Sequence, residues 1–239
     1  MQSNIERNQP SPAGNRLLIA LPIKDREHCL AACVPVELRF ADILAEPGER
    51  IRYAYFPTGS FISLLATVDS RANLEVGLIG NEGMLGISLL LGVEIEPLHA
   101  MVQGEGIALR MDTASFHREL KRSPALHGAL KRYLYVVMGQ LAQTAACTRF
   151  HLVEARLARW LLMTQDRAHS NEFHVTQAFL AYMLGVRRVG VTNAATALQN
   201  HQLISYRRGN ITILDRGGLE AAACACYQAD RAAYESVME

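Results

Sequence analysis

The sequence predicts an α+β fold in three parts: a strand-rich N-terminal half, one long helix, and a compact helical segment that closes on a hairpin. Three observations predict it. Short apolar runs separated by turn signals fill the stretch from Val36 to about Arg110. An unbroken helical pattern follows Ser123-Pro124. Two short helical patterns and an Arg-Arg-Gly-Asn turn then close an arginine-rich segment.

The chain has 239 residues, half of them hydrophobic and a fifth charged. That composition can bury a real core, and it excludes collagen-like, low-complexity and disordered classes. No apolar run approaches the roughly 18 residues that a membrane span needs. Residues 1–16 are polar with no apolar stretch, so they read as a flexible tail and not as a secretory signal. With no export signal, the five cysteines read as reduced cytosolic thiols.

Residues 17–34 predict a helix, with Leu17, Leu18, Leu21 and Leu30 on one face. The β region is punctuated by Glu46-Pro47-Gly48-Glu49, Phe56-Pro57-Thr58-Gly59, Val68-Asp69-Ser70 and Ile79-Gly80-Asn81. Strands at this spacing suggest a sandwich or barrel. The glycine-dense run from Gly80 to Gly86 predicts a close approach of backbone to a strand or a ligand.

Ser123 is a capping residue and Pro124 stands at the first helical position. Leu130, Leu134, Val137, Leu141, Thr144 and Thr148 then recur at steps of 4, 3, 4, 3 and 4. That spacing makes an a/d seam. The seam fits either packing on the β domain or a second copy of the chain. The second copy is favoured, because a helix between two domains has no third to cover it. Residues 150–169 predict a further helix, with Leu157, Trp160 and Leu161 on its apolar face and Arg156 and Arg159 on its polar one. Asp166 to Glu172 reads as a polar connector.

Residues 176–204 then give the decisive pattern. Thr176 is a good N-cap, and Phe179, Leu180, Met183 and Leu184 form one face of a short helix. Gly185 stops it. A second helix runs from about Arg187 to Asn200, with Val191, Ala194, Ala195 and Leu198 turned inward. Small, glycine and β-branched residues at Ala181, Gly185 and Val191 are what a helix-turn-helix needs to cross closely. Arg187, Arg188, Thr192 and Asn193 fall near the start of the second helix, the part that enters a major groove. Arginine suits guanine, asparagine suits adenine, and a threonine methyl suits thymine.

Two β-rich runs flanking Arg207-Arg208-Gly209-Asn210 read as a hairpin with arginines at its tip. A hairpin directly after a helix-turn-helix is a wing, whose tip meets phosphates. Charge agrees. The chain is +1 overall, but residues 149–216 hold nine arginines and four acids. Thr176, Gln177, Arg187, Arg188, Thr192, Asn193, Arg207 and Arg208 are therefore the expected contacts to double-stranded DNA.

In this order, residues 76–92 (VGLIGNEGMLGISLLLG), 147–167, 179–199 and 203–227 resemble the cyclic-AMP receptor/FNR (Crp/Fnr) family of bacterial transcription regulators, in a subgroup with unassigned effector. The resemblance spans about residues 17–227. It implies a cyclic-nucleotide-binding-like β-roll (a jelly roll) over 17–122, a dimerisation helix over 123–148 and a winged helix-turn-helix DNA-binding domain over 149–239. It also implies a cytoplasmic homodimer on two half-sites about one helical turn apart, with RNA polymerase as a further partner and no membrane partner. Arg188 falls at the family's guanine-contacting arginine. Val189 stands where many members carry glutamate, and Asn193 where many carry a second arginine. Base preference is thus expected to differ from the family's best-known site.

The roll's effector is left open by the residues. The cyclic-AMP branch holds ribose with Gly-Glu and phosphate with Arg-Ser. The nearest positions here are Gly86-Ile87 and Leu98-His99, and the adenine-facing pair aligns with Leu141-Ala142. Cyclic AMP is not expected to bind, since a buried phosphate without a cation is poorly matched. An iron–sulfur cluster is not expected either: Cys29 and Cys33 do not match the oxygen-sensing branch's N-terminal ligands. Cys147 lies on the long helix and Cys224-x-Cys226 beyond the wing; a metal or redox role is open to that pair, with buried inert thiols the favoured reading, while the histidines show no tight ligand spacing and no metal site is assigned. Two other classes compete with this reading. An effector-binding signalling module with a merely structural helix-turn-helix has no need of Arg187, Arg188, Arg207 and Arg208. A β-roll enzyme needs a His/Glu cluster that this sequence does not offer, so no catalytic residue is expected.

Overall fold

The computed structural model describes residues 14–69 and 72–239. Most of the expected tail lies outside the described residues, but its end does not. Asn15 caps α1 (Arg16–Ile19), its Oδ1 accepting from the Leu17 amide. Its side-chain amide donates to the carbonyls of Pro57 and Gly83 at 3.0 and 2.8 Å. A tail reaching residue 16 is therefore corrected: Asn15 is buried in the roll. The helix expected over 17–34 is likewise two pieces. Pro22 separates α1 from α2 (Ile23–Ala31), and Leu30 faces solvent.

Seven strands build the roll: β1 (Val34–Leu38), β2 (Ile43–Ala45), β3 (Tyr53–Pro57), β4 (Phe61–Asp69), β5 (Ala72–Ile79), β6 (His99–Gly104) and β7 (Gly106–Asp112). They form two antiparallel sheets, ordered β1-β7-β3 and β2-β6-β4-β5. Period-two alternation divides the core. On β3, Tyr55 joins Ile62, Leu64 and Val102 between the sheets. Ala54 and Phe56 point the other way, to Leu17, Phe116 and Leu130 under the helices. The glycine-dense run does approach another strand: Leu85 bridges Tyr55, and Gly86 adopts a left-handed conformation just before a 3₁₀ turn over Ile87–Leu91.

α3 (Thr113–Arg122) leads into α4 (Pro124–Phe150), which runs two residues beyond the expected end at 148. Ser123 caps α4 by accepting from the Leu126 amide at 3.0 Å. The seam requires correction. Leu130 is buried in the roll core and Thr144 is buried toward α5, while Leu134, Val137 and Leu141 line a cavity against the roll. The solvent-facing stripe lies beside the seam. It carries Tyr135 and Met138, 68% and 62% exposed, then Gly139, Ala142, Ala145 and Ala146. A 4-3 repeat identifies one apolar face but not what covers it: the roll buries Leu130, while Leu134, Val137, Leu141 and Thr148 stay half-buried.

α5 (Val153–Ala168) takes in the first three residues of the expected connector, and Glu172 at its other end begins a strand. Leu157, Trp160 and Leu161 are buried as expected, but Arg156 and Arg159 are not on a polar face. Both are buried. Arg159 pairs with Asp230 at 2.6 Å, and Arg156 donates to the Leu184 carbonyl. β8 (Glu172–His174), α6 (Gln177–Leu184), α7 (Arg188–Asn200), β9 (Ile204–Arg207) and β10 (Asn210–Ile213) follow, with a third sheet ordered β8-β10-β9. Beyond the hairpin come α8 (Arg216–Ala222) and α9 (Cys226–Met238). α9 returns along α4, and its Tyr234 hydroxyl donates to the Glu82 carbonyl at 2.9 Å. The two halves also meet directly. Leu65 and Met101 of the roll sit in the C-terminal core, and Arg167 on α5 pairs with Glu82 at 2.7 Å.

Candidate nucleic-acid interface

Local chemistry fixes the two crossing helices. Thr176 caps α6, its hydroxyl accepting from the Phe179 amide at 3.2 Å. Gly185 ends α6 at φ +62°, and its amide reaches the carbonyls of Ala181 and Tyr182. A side chain at this φ would be strained, so glycine takes the turn. Arg187 is extended and starts α7. Val191, Ala194, Ala195 and Leu198 are buried with Leu180, Met183 and Leu184, the inward set the spacing predicts.

Turning those residues inward turns Arg187, Arg188, Val189, Asn193 and Thr196 outward, all exposed. Thr192 is half-buried. Its Oγ1 lies 2.8 Å from Oε1 of Gln177 and 3.1 Å from the Arg188 carbonyl. Both neighbours are acceptors, so its single proton is committed within the protein. Val189, 62% exposed, places an apolar side chain among polar ones near the helix start. An apolar surface of that kind suits a thymine methyl.

The wing is a tight hairpin. Arg207 pairs with Asn210, and the two residues between them, Arg208 and Gly209, have φ of +51° and +86°. Two successive positive values make a type I′ turn, whose twist matches that of the strands. β8 adds a third strand in register with β10. His174 stands opposite Asn210, with its Nδ1 2.8 Å from the Asn210 Oδ1. The sequence reading missed β8 because three residues carry too little periodicity.

Charge separates sharply along the basic segment. Arg159, Arg167 and Arg216 pair with Asp230, Glu82 and Asp166. Arg187, Arg188, Arg207 and Arg208 make no ion pair among the described residues. These four arginines, all exposed, sit at the start of α7 and at the wing tip, where an anionic partner can reach them.

Two other groupings could hold a small group. A cavity of about 200 Å³ lies between the roll and α4, lined by Leu64, Val76, Leu98, Leu134, Val137 and Leu141 among others. Among the described residues, no arginine, lysine or histidine lines it. Glu96 at its edge is buried, and burial pushes its carboxyl up to about 7 against the Leu98 amide that lowers it. Elsewhere, Cys147, His151, Cys224 and Cys226 converge. That gathering departs from the reading of inert thiols and scattered histidines. Its sequence signal is a Cys-x₃-His at the end of the long helix together with a Cys-x-Cys after the wing.

Residues 155–222 match the family model of the Crp-like helix-turn-helix domain. No curated protein matches the chain. Among solved structures, a Crp/Fnr-family transcriptional regulator from Eubacterium rectale superposes at TM-score 0.68 and 15% identity, covering 86% of this chain and 96% of that one. The c-di-GMP-responsive global regulator CLP of Xanthomonas campestris gives 0.67 at 16% identity, covering 81% and 100%. A Crp/Fnr-family regulator from Thermus thermophilus gives 0.65 at 20%, covering 80% and 98%. Residues 155–222 thus match a Crp-like helix-turn-helix domain, and the chain as a whole has the fold of these Crp/Fnr-family regulators. These neighbours are transcriptional regulators. No helix among the described residues is long and apolar enough to cross a membrane.

Proposed function

We propose that the chain binds a palindromic DNA site as a homodimer and regulates transcription there. α7 would enter the major groove, with Arg188 on guanine and Asn193 and Val189 on neighbouring bases. Arg187, Arg207, Arg208 and Gln177 would meet the phosphate backbone. The observation that carries this reading is the set of four unpaired arginines at the start of α7 and the wing tip. A structural scaffold would neutralise or omit them. The dimer face proposed is the exposed stripe of α4 through Tyr135, Met138 and Ala142. A dimer of this kind places two α7 helices on half-sites about one turn apart. RNA polymerase as a further partner and a cytoplasmic location rest on the family resemblance. The cavity between roll and α4 is apolar and cation-free, which supports a signal other than a cyclic nucleotide. Selection from a randomised duplex library tests the reading, a symmetric preferred site being the expected result.

A further inference from the structure

Four potential ligands from two distant parts of the chain meet at the end of α4. Cys147 lies in its last turns, and His151 is its C-cap. Cys224 and Cys226 flank Ala225, the N-cap of α9. The donor atoms of all four lie within 4.8 Å of one another. Two separations are 3.5 Å: Sγ of Cys147 to Sγ of Cys224, and Sγ of Cys226 to Nδ1 of His151.

We propose that Cys147, His151, Cys224 and Cys226 form a tetrahedral site for one zinc ion, tying the end of the long helix to the start of the C-terminal one.

Size supports a single ion. A tetrahedron with Zn–S near 2.3 Å and Zn–N near 2.0 Å has donor–donor edges of about 3.5–3.8 Å, so small side-chain movements suffice. A two-iron cluster spreads its four donors over two metals and needs a wider cage. Chemistry points the same way. Three thiolates and an imidazole are a soft set, and four protein donors leave no open position, the pattern of structural zinc. The surroundings complete it. The three cysteines are buried, and the Gln143 side-chain amide donates to Sγ of Cys226 at 2.9 Å, as outer-shell groups do. Zinc with three thiolates carries a net charge of −1, the thiol protons going to solvent on binding. Buried Arg156 and Arg159 line a small cavity with Cys147, and Arg156 has no carboxylate partner among the described residues. The cluster therefore has its countercharge at hand. A Cys147–Cys224 disulfide would account for two of the four donors and leave His151 and Cys226 unexplained.

The consequence is mechanical. α4 passes into α5 through His151 and Leu152, and α9 runs from the cluster back to the roll. An ion here would fix the angle at which the helix-turn-helix leaves the long helix.

The test uses the full chain, purified under reductant, made metal-free and titrated with Co²⁺. The expected result is saturation at one equivalent, with the visible bands of tetrahedral cobalt and a thiolate charge-transfer band, both bleached by Zn²⁺. The Cys224→Ser/Cys226→Ser variant should bind Co²⁺ at least 100-fold more weakly, with circular dichroism reporting whether it folds. The wild-type spectrum stands whether or not that variant does. No binding by the folded, reduced wild type would overturn the proposal. So would an octahedral spectrum, unchanged affinity in a folded variant, or a Cys147–Cys224 disulfide in place of metal in protein isolated with zinc present.

Discussion

The hydroxyl of Thr192 on α7 sits 2.8 Å from the side-chain oxygen of Gln177 on α6, joining the two helices of the DNA-binding motif across their crossing. Thr192 is thereby a residue that sets the angle of the recognition helix, with its proton spent inside the protein. Thr192→Val should leave the base preference unchanged and cost about 0.5–1.5 kcal/mol of stability, the usual worth of one hydrogen bond. Thermal unfolding and a duplex-library selection check both halves. A changed base preference would mean that the hydroxyl itself reads DNA.

The corrected face of α4 relocates the expected dimer contact. Met138→Glu with Ala142→Glu puts charge on the exposed stripe, and in a dimer interface those charges would be buried unpaired. Light scattering should then give the monomer mass with circular dichroism unchanged. Leu134→Glu with Leu141→Glu should instead lower stability, because these residues face the cavity beside the roll. Parent mass from the Met138/Ala142 variant would show that the chain associates elsewhere.

Cyclic AMP should not bind tightly. Its phosphate would enter a cavity of about 200 Å³ that offers no cation, with Glu96 at the edge. A buried phosphate is stabilised by charge-assisted hydrogen bonds that this lining cannot make. Titration calorimetry should show no heat at micromolar concentrations. Micromolar or tighter binding would contradict the account of the cavity.

Glu96 makes stability depend on pH. Burial raises its carboxyl from about 4.5 to about 7, so the folded state holds the proton more firmly than the unfolded chain does. That contribution is complete below pH 4.5 and is lost as pH rises through about 7. Glu96→Gln should remove it, flattening the fall in unfolding free energy between pH 5 and 7 by on the order of 2 kcal/mol. Denaturant melts across that range give the slopes, and parallel slopes in the two proteins would exclude Glu96 as the group responsible.

Sequence alone carried the DNA-binding half because its signals are short-range. Thr176, Gly185 and Val191 act within one supersecondary unit, and the turn residues of the wing specify their own hairpin. Long-range pairings were hidden. The seam of α4 fits a roll contact as well as the favoured subunit contact, and the roll beneath Leu130 is not visible in the spacing. Arg156 and Arg159 look solvated until Leu184 and Asp230 are found as their partners. Cys147-x₃-His151 and Cys224-x-Cys226 are each unremarkable, and only the return of α9 along α4 brings them together.

If α7 reads bases while the wing grips phosphate, the two roles separate in the binding of Arg188→Ala and Arg207→Ala/Arg208→Ala variants to a randomised duplex library at several salt concentrations. Losing a bidentate guanine contact costs about 1–3 kcal/mol per half-site and relaxes one position. Losing a phosphate contact weakens all sequences alike and lowers the salt slope by about one per contact. The Arg188 variant should therefore flatten one symmetric position of the site with little change in salt slope. The wing variant should keep the preferred sequence and bind with less salt dependence. Full sequence preference with reduced salt dependence in the Arg188 variant would contradict the docking of α7. Unchanged binding in both variants would show that the helix-turn-helix is only a scaffold and that the arginines face some other partner.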